Sequence, residues 1–433
     1  MTNRLNKLFN VEDHELKAAI VSFLFVFTLM AAYYLLRPVR DAMASDWTDA
    51  EVSWLWTINF FISTAIIALY GFIVSKVNFQ KLVPSVYLFF SASFFLFFIL
   101  TNSAQDVVLA KKSYYVWVSV FALFHVSVFW SFMADVYNKE QSKRLFSIFA
   151  AGASLGAIFG PLLSAIFVGG INLGGLKVPP LLETNQLLLV AAVMLLIPIP
   201  LIAKLTSLKH SALGNAEQAA DLEKVKIGGN PFNGFKEFFT NPYLLGIGLF
   251  IILYTGIGSF VYLEQKNLLA EYPEETRTAI YGYRDFVINT VTFILAFFLT
   301  GRIVTKLGMP TALALLPVII FFGMLVLAFS PVLLVAVALW FLRSAGNYGL
   351  TRPAREMLFT QVSREDRFKT KPVIDIVAYR GGDVIMGWFF TGLTQGLGLG
   401  LGAVAAVGAG IAALWAFVGI KLGQKFEGQQ KPD

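Results

Sequence analysis

The chain has no cysteine among its 433 residues, only three histidines, and charged side chains at 14% of positions. The first absence excludes disulfides and thiolate metal sites and leaves the compartment open. The scarcity of charge, against roughly 25% in soluble domains, excludes an ordinary water-soluble fold. No G-x-x-x-x-G-K-[ST] sequence occurs, so nothing points to ATP hydrolysis. Nor is there an H-E-x-x-H, a nucleophile elbow or a pair of catalytic histidines, and neither an enzyme nor a metal or cofactor site is expected.

What fills the chain instead is apolar. Hydrophobic residues make up 57%, with 42 Phe and 15 Tyr suited to lipid-facing surfaces and interfacial belts. The composition predicts an all-α polytopic membrane protein. Apolar runs fall at about 18–40, 52–75, 83–101, 113–135, 144–168 and 185–204, then at 242–263, 279–301, 310–329, 331–352, 372–393 and 398–421. Twelve transmembrane helices follow, in two six-helix halves. Ala42-Met43-Ala44 mimics a signal-peptide cleavage site, but the first run is too long and Arg37, Arg40 and Asp41 are wrong for that region.

With the N-terminus inside, cytoplasmic segments hold 24 of the 34 Lys and Arg, and external loops hold six. This is the positive-inside pattern, with both termini cytoplasmic and the inner membrane of a bacterium the expected location. The net charge of +7 is thereby accounted for, and no nucleic-acid partner is expected. The longest hydrophilic stretch, Thr206–Thr240, reads as a linker; it divides the chain into residues 1–204, a linker at 205–241 and residues 242–433. Within it FNGFKEFFT, from Phe232, has the pattern of a helix lying on the membrane surface.

Two kinds of internal pattern stand out. Gly71-Phe-Ile-Val-Ser-Lys76 and Gly301-Arg-Ile-Val-Thr-Lys306 occupy the same turn in each half. They resemble the loop motif of the major facilitator superfamily, with its acidic residue replaced by Ser75 and Thr305. Gly152, Gly156 and Gly160, and later Gly402, Ala406 and Gly410, place a small residue at every fourth position and read as helix-packing faces.

Charge inside the membrane marks the candidate site. The first run ends in Tyr33-Tyr34-Leu35-Leu36-Arg37-Pro38-Val39-Arg40-Asp41, where Pro38 predicts a kink. The stretch is either a charged helix end at the membrane surface or part of a binding site. His125 is the one histidine within a span; it reads as a titrating group or as a bridge hydrogen-bonded between helices. Glu264 and Lys266 end the seventh span, and Arg284 and Asp285 begin the eighth. Arg343 and Asn347 share a face of the tenth, which runs into Arg355-Glu356. Asp375, Tyr379 and Asp383 stack on one face of the eleventh beside Arg380, whose Gly381-Gly382 neighbours make a plausible bend. Arginines with tyrosines suit a phosphate or carboxylate solute, and the rings suit stacking. We assign Tyr33, Tyr34, Arg37, Arg40, Asp41, Arg284, Arg343, Asn347, Tyr379 and Arg380 to substrate binding. His125, Glu264, Glu356, Asp375 and Asp383 are assigned to coupling or gating.

Three stretches also carry a resemblance: YYLLRPVRD; FMAD at 132–135 leading to SKRLFSIFAAGAS; and RPAREM at 352–357 followed by KPVIDIV and RGGD. Together they resemble the ATP:ADP antiporter family of plastids and intracellular bacteria, whose fold is that of the major facilitator superfamily. The resemblance implies alternating-access exchange of nucleotides by a monomer in the bilayer. One departure is visible near the second span, where Trp54-Leu55-Trp56 stands in the place of a lysine expected in that family. Two other readings stay open: proton-coupled transport of another organic anion or drug-like solute, and a non-transporting receptor or scaffold.

Overall fold

The computed structural model describes the chain from residue 11 to 428, except 75–78, 104, 174–175, 212, 214–232, 299, 363–369, 371–373 and 375–377. Fifteen α-helices lie among the described residues. The first half of the sequence forms α1 (Leu16–Ala44), α2 (Asp49–Val74), α3 (Phe79–Ser103), α4 (Val107–Val136), α5 (Lys139–Gly169), α6 (Gln186–Met194) and α7 (Pro198–Ser211). The second forms α8 (Asn233–Thr240), α9 (Pro242–Leu269), α10 (Glu274–Phe298), α11 (Thr300–Phe329), α12 (Leu333–Gly346), α13 (Arg352–Leu358), α14 (Tyr379–Thr391) and α15 (Leu401–Gly428). Among the described residues eight helical spans are long and apolar enough to cross a membrane, one of them running through α6 and α7.

Several differences from the sequence expectation have local causes. The fold is not purely helical, because Ile171–Leu173 (β1) and Leu176–Val178 (β2) pair antiparallel between α5 and α6. Gly170 enters that hairpin at φ +70°, where a Cβ would lie 2.4 Å from the Val178 carbonyl oxygen, so only glycine fits. The run at 185–204 breaks between α6 and α7 ahead of Pro198 and Pro200, which lack the amide protons a continuous helix needs. The tenth run widens into a π-helical turn at Asn347–Thr351, just before Pro353. By contrast α1 passes through Pro38 without interruption. The turn at Ser75 and Lys76 lies outside the described residues, as does most of the predicted linker.

The chain divides into two compact units, neither continuous in sequence. Unit 1 is Met1–Ala44, Phe61–Ile227 and Tyr272–Phe286; unit 2 is Ser45–Phe60, Gly228–Glu271 and Val287–Asp433. Helices α2 and α10 are therefore shared: each gives its first part to one unit and its remainder to the other.

Unit 1 is built on the α1–α5 contact. A Cβ at Gly152, Gly156 or Gly160 would lie 2.9, 2.3 or 2.4 Å from the carbonyl oxygens of Phe23, Phe27 and Ala31. The glycine stripe thus sets backbone against backbone, as its spacing predicts. Around α1 the core is aromatic, with Phe25 edge-on to Tyr87 and Phe129 at 5.5 and 5.1 Å.

Unit 2 is built on α9, in which every residue from Leu253 to Lys266 is buried. A helix apolar nearly all round, enclosed by α12, α14 and α15, satisfies this pattern. The small-residue face predicted on the last helix is shifted. Gly402, Gly408, Gly419 and Gly423 meet neighbours, Gly423 against Pro310, whereas Gly410 faces open space. The spacing was right for a helix face, but that face had two equally small candidates.

Candidate functional site

In unit 1 the end of α1 meets the start of α10, and their charges interleave. Arg40 donates through Nε and Nη2 to Asp41 Oδ1, at 3.0 and 2.7 Å. Arg284 reaches the other oxygen of that carboxylate, Nη2 to Oδ2 at 3.4 Å, and donates through Nε to Asp285 Oδ1 at 2.9 Å. Arg37 extends the series, Nε to Asp285 Oδ2 at 3.5 Å. Three guanidiniums alternate with two carboxylates, a net charge of 3 − 2 = +1. Asp41 is wholly buried, and charges so placed persist only when paired. Arg37, a quarter exposed, is the arginine least committed to a carboxylate. Tyrosine faces complete the setting: Tyr281 beneath Arg284 at 4.6 Å, Tyr115 beneath Arg40 at 5.3 Å and Tyr34 beneath Arg37 at 5.9 Å.

Tyr33 turns from this network to His125, ring centroids 4.4 Å apart. Among the described residues the imidazole makes no hydrogen bond to another helix. Its Nδ1 lies 3.0 Å from the Phe121 carbonyl oxygen of its own helix, four residues back, and its link to α1 is the ring contact.

Unit 2 holds its cation differently. Arg343 projects from α12 between two rings, its guanidinium carbon 4.8 Å from the centroid of Tyr254 and 4.9 Å from that of Trp340. It lies flat on α9 at Gly258, where a Cβ would meet Nη1 at 2.8 Å. Among the described residues no carboxylate forms an ion pair with Arg343, and its buried Nε has no acceptor. Tyr379 packs edge-on to Tyr254 at 5.9 Å, continuing the aromatic wall. Asp383 takes a hydrogen bond from Ser259 and feels Arg380 and Arg343 through space. Helix α14 is continuous through Gly381-Gly382, with Gly382 pressed on Thr255 and Gly381 facing open space. Asn347 is buried and opens the π-helical turn. Glu356 pairs with Arg355 at 3.0 Å on α13, at the margin of this group. Asp375 lies outside the described residues.

A second polar centre of unit 2 forms where α2 begins. Asp49 accepts Lys266 at 3.0 Å, Thr394 at 2.9 Å and Asn267 at 3.3 Å, and Lys266 also donates to the Trp47 carbonyl. Glu264, two residues before Lys266, is completely buried, and neither of its oxygens has a hydrogen-bond partner among the described residues.

The predicted residues therefore fall into two groups, one per unit: Tyr33, Tyr34, Arg37, Arg40, Asp41 and Arg284 in the first, Arg343, Tyr379, Arg380 and Asp383 in the second. Asp285, Asp49, Tyr254 and Ser259 had not been assigned a role. For Asp285 a signal existed, since an Arg-Asp dipeptide at 40–41 recurs at 284–285. Tyr254 and Ser259 carry no such mark, being ordinary residues of an apolar run.

The profile described as Major Facilitator Superfamily matches residues 22–370. ADP,ATP carrier protein 1 of Chlamydia pneumoniae is 21% identical, over 95% of this chain and 90% of its own. Among solved structures the nucleoside transporter NupG superposes with a TM-score of 0.66 at 13% identity, over 95% of this chain and 99% of its own. A bacterial homologue of the human lysosomal transporter Spinster gives 0.60 at 16%, over 98% and 99%. The xylose transporter XylE from E. coli gives 0.59 at 11%, over 97% and 100%. These likenesses are of fold.

Proposed function

The chain belongs to the Major Facilitator Superfamily and is an integral membrane protein, and on that premise we propose that it is a secondary transporter of an organic anion, a nucleotide being the preferred class. One observation carries the reading. Arg343 is a buried guanidinium with aromatic faces on two sides and, among the described residues, no carboxylate paired to it. A buried charge left without a partner is costly, and an arginine fork is matched best by phosphate or carboxylate. The adjoining Tyr254, Trp340 and Tyr379 offer faces on which a flat ring stacks. A solute with an anionic group and an aromatic ring answers both, and a nucleotide has both. The likeness to an ADP,ATP carrier and to a nucleoside transporter supports that class. Transport then proceeds by alternating access in the inner membrane.

The test is uptake of labelled ATP, ADP, AMP and uncharged nucleosides into proteoliposomes, with and without preloaded counter-substrate. Nucleotide uptake that Arg343→Ala reduces about a hundredfold, and Arg343→Lys about tenfold, is the expected result. Uptake of nucleosides alone, or transport indifferent to Arg343, would reject the anion reading.

A further inference from the structure

The charges around Arg343 are few enough to be counted. Arg380 and Asp383 stand three residues apart on α14 and share a face of that helix. Two contacts set α14 against α9 at this level: Gly382 rests on Thr255 and Met386 on Gly256, within one turn of Gly258, where Arg343 lies. Asp383 feels both Arg380 and Arg343 through space, and among the described residues it forms an ion pair with neither. A carboxylate at salt-bridge distance would occupy a guanidinium fork; one held farther off leaves the fork accessible and still subtracts a charge. Two arginines and one carboxylate sum to 2 − 1 = +1.

Among the described residues the neighbouring elements add no buried cation to this count. Arg355 of α13 is paired with Glu356, and Arg352 is exposed over the Tyr348 ring. Lys425 of α15 stands over Tyr243, at the other end of α9. Almost two turns along α9 in the opposite direction, Lys266 is outweighed by Asp49 and Glu264. What surrounds Arg343 instead is aromatic. Trp340 leads to Tyr262 with ring centroids 5.9 Å apart, and Tyr262 to Trp56 at 5.6 Å. Trp56 is seated on α14 at Gly387, where a Cβ would meet its ring at 2.8 Å.

A buried site is filled most favourably by a solute that neutralises it, because any charge left over stays in a low-dielectric layer. We propose that Asp383 is a specificity-determining residue that limits the solute to one negative charge. The solute is then an organic monoanion bearing a flat ring, its charged group a phosphodiester or a carboxylate. The proposal rests on the anion-transport reading and narrows it by charge. A phosphate monoester carries about −1.5 to −2 at neutral pH and overfills the site, and each further phosphate adds to the excess. A diester or a carboxylate closes the balance at +1 − 1 = 0. Within the nucleotides this selects those whose phosphate is esterified twice. The ring lies on the aromatic faces that run from Trp340 to Trp56.

Two series of probes, each with one ring and a graded charge, test it. The first is adenosine, 3′,5′-cyclic AMP, AMP, ADP and ATP; the second is 2-naphthamide, 2-naphthoate and 2,6-naphthalenedicarboxylate. The melting temperature of the full-length protein in lipid nanodiscs is recorded against each, without divalent cations and at about pH 8, where the monoester is fully ionised. A ligand bound only by the folded state raises the melting temperature with its concentration. In one series or the other the monoanion should act at a concentration at least about tenfold lower than the dianion. Which series responds tells the diester from the carboxylate. Asp383→Asn raises the count to +2 and should shift the ratio towards the dianion at least about tenfold, whereas Asp383→Glu keeps the charge and should keep the wild-type order. Should Asp383→Asn not fold, Arg380→Gln lowers the count to zero and should erase most of the advantage of the monoanion over its uncharged counterpart. A dianion or polyanion acting best on the wild type, an order unchanged in Asp383→Asn, or an advantage unchanged in Arg380→Gln would overturn the proposal and leave the anion reading standing. Stabilisation by none of these anions, or stabilisation that Arg343→Ala leaves intact, would bring down both.

Discussion

Arg284 and Arg343 are both less than a tenth exposed, yet they are accommodated by opposite means. Arg284 sits in a chain of alternating charges whose two carboxylates belong to different helices. Arg343 sits between ring faces and, among the described residues, forms no ion pair with a carboxylate. The first arrangement joins α1 to α10 and answers all but one of its own charges. The second leaves a charge to be met by something else. Buried arginines are therefore not equivalent signs of a binding site: what matters is whether the protein has already answered them.

The sharpest way to break this comparison is to disturb the network of unit 1. Asp41→Asn leaves three guanidiniums to share Asp285, and removing one partner of a buried pair costs about 3–5 kcal/mol. A large fall in melting temperature is expected, whatever the solute. If the variant melts like the wild type, the network is not what joins α1 to α10. The corresponding change in unit 2 should behave in the reverse sense. Arg343→Met should keep or raise the melting temperature while lowering affinity for an anionic solute by about 2–3 kcal/mol. Equal stability losses at Asp41 and Arg343 would erase the distinction between a locked and an open charge.

Packing offers a smaller, charge-free control. Gly156→Ala places a methyl 2.3 Å from the Phe27 carbonyl oxygen, and forcing α1 from α5 should cost about 1–3 kcal/mol. Gly410→Ala, on the face of α15 that meets nothing, should gain up to about 1 kcal/mol from helix propensity. Both are read by thermal unfolding in nanodiscs, and similar effects at the two sites would contradict the packing described for α1 and α15. The smallest effect belongs to Lys111 and Glu274, a pair about a fifth exposed at each end. Lys111→Ala should change stability by no more than about 1 kcal/mol and lose even that in high salt.

Much of this protein is decided by its sequence alone. Apolar runs of about twenty residues with almost no charge commit the chain to a membrane, because backbone polar groups there must be satisfied within helices. The fourfold glycine spacing commits α5 to close packing, since only a missing side chain lets two backbones meet. Local order also placed Arg37, Arg40 and Asp41 together, being four residues or fewer apart on one helix. What the sequence could not decide is which charges answer one another. Asp41 and Arg284 are 243 positions apart, and Asp49 and Lys266 are 217. No periodicity within a helix bears on such pairs. Nor could it tell that Arg343 and Glu264 have no ion-pair partner among the described residues, for that depends on every element packed around them. Whether a buried charge is a fastening or a binding site is a property of its neighbours, and those neighbours are assembled only by the tertiary structure.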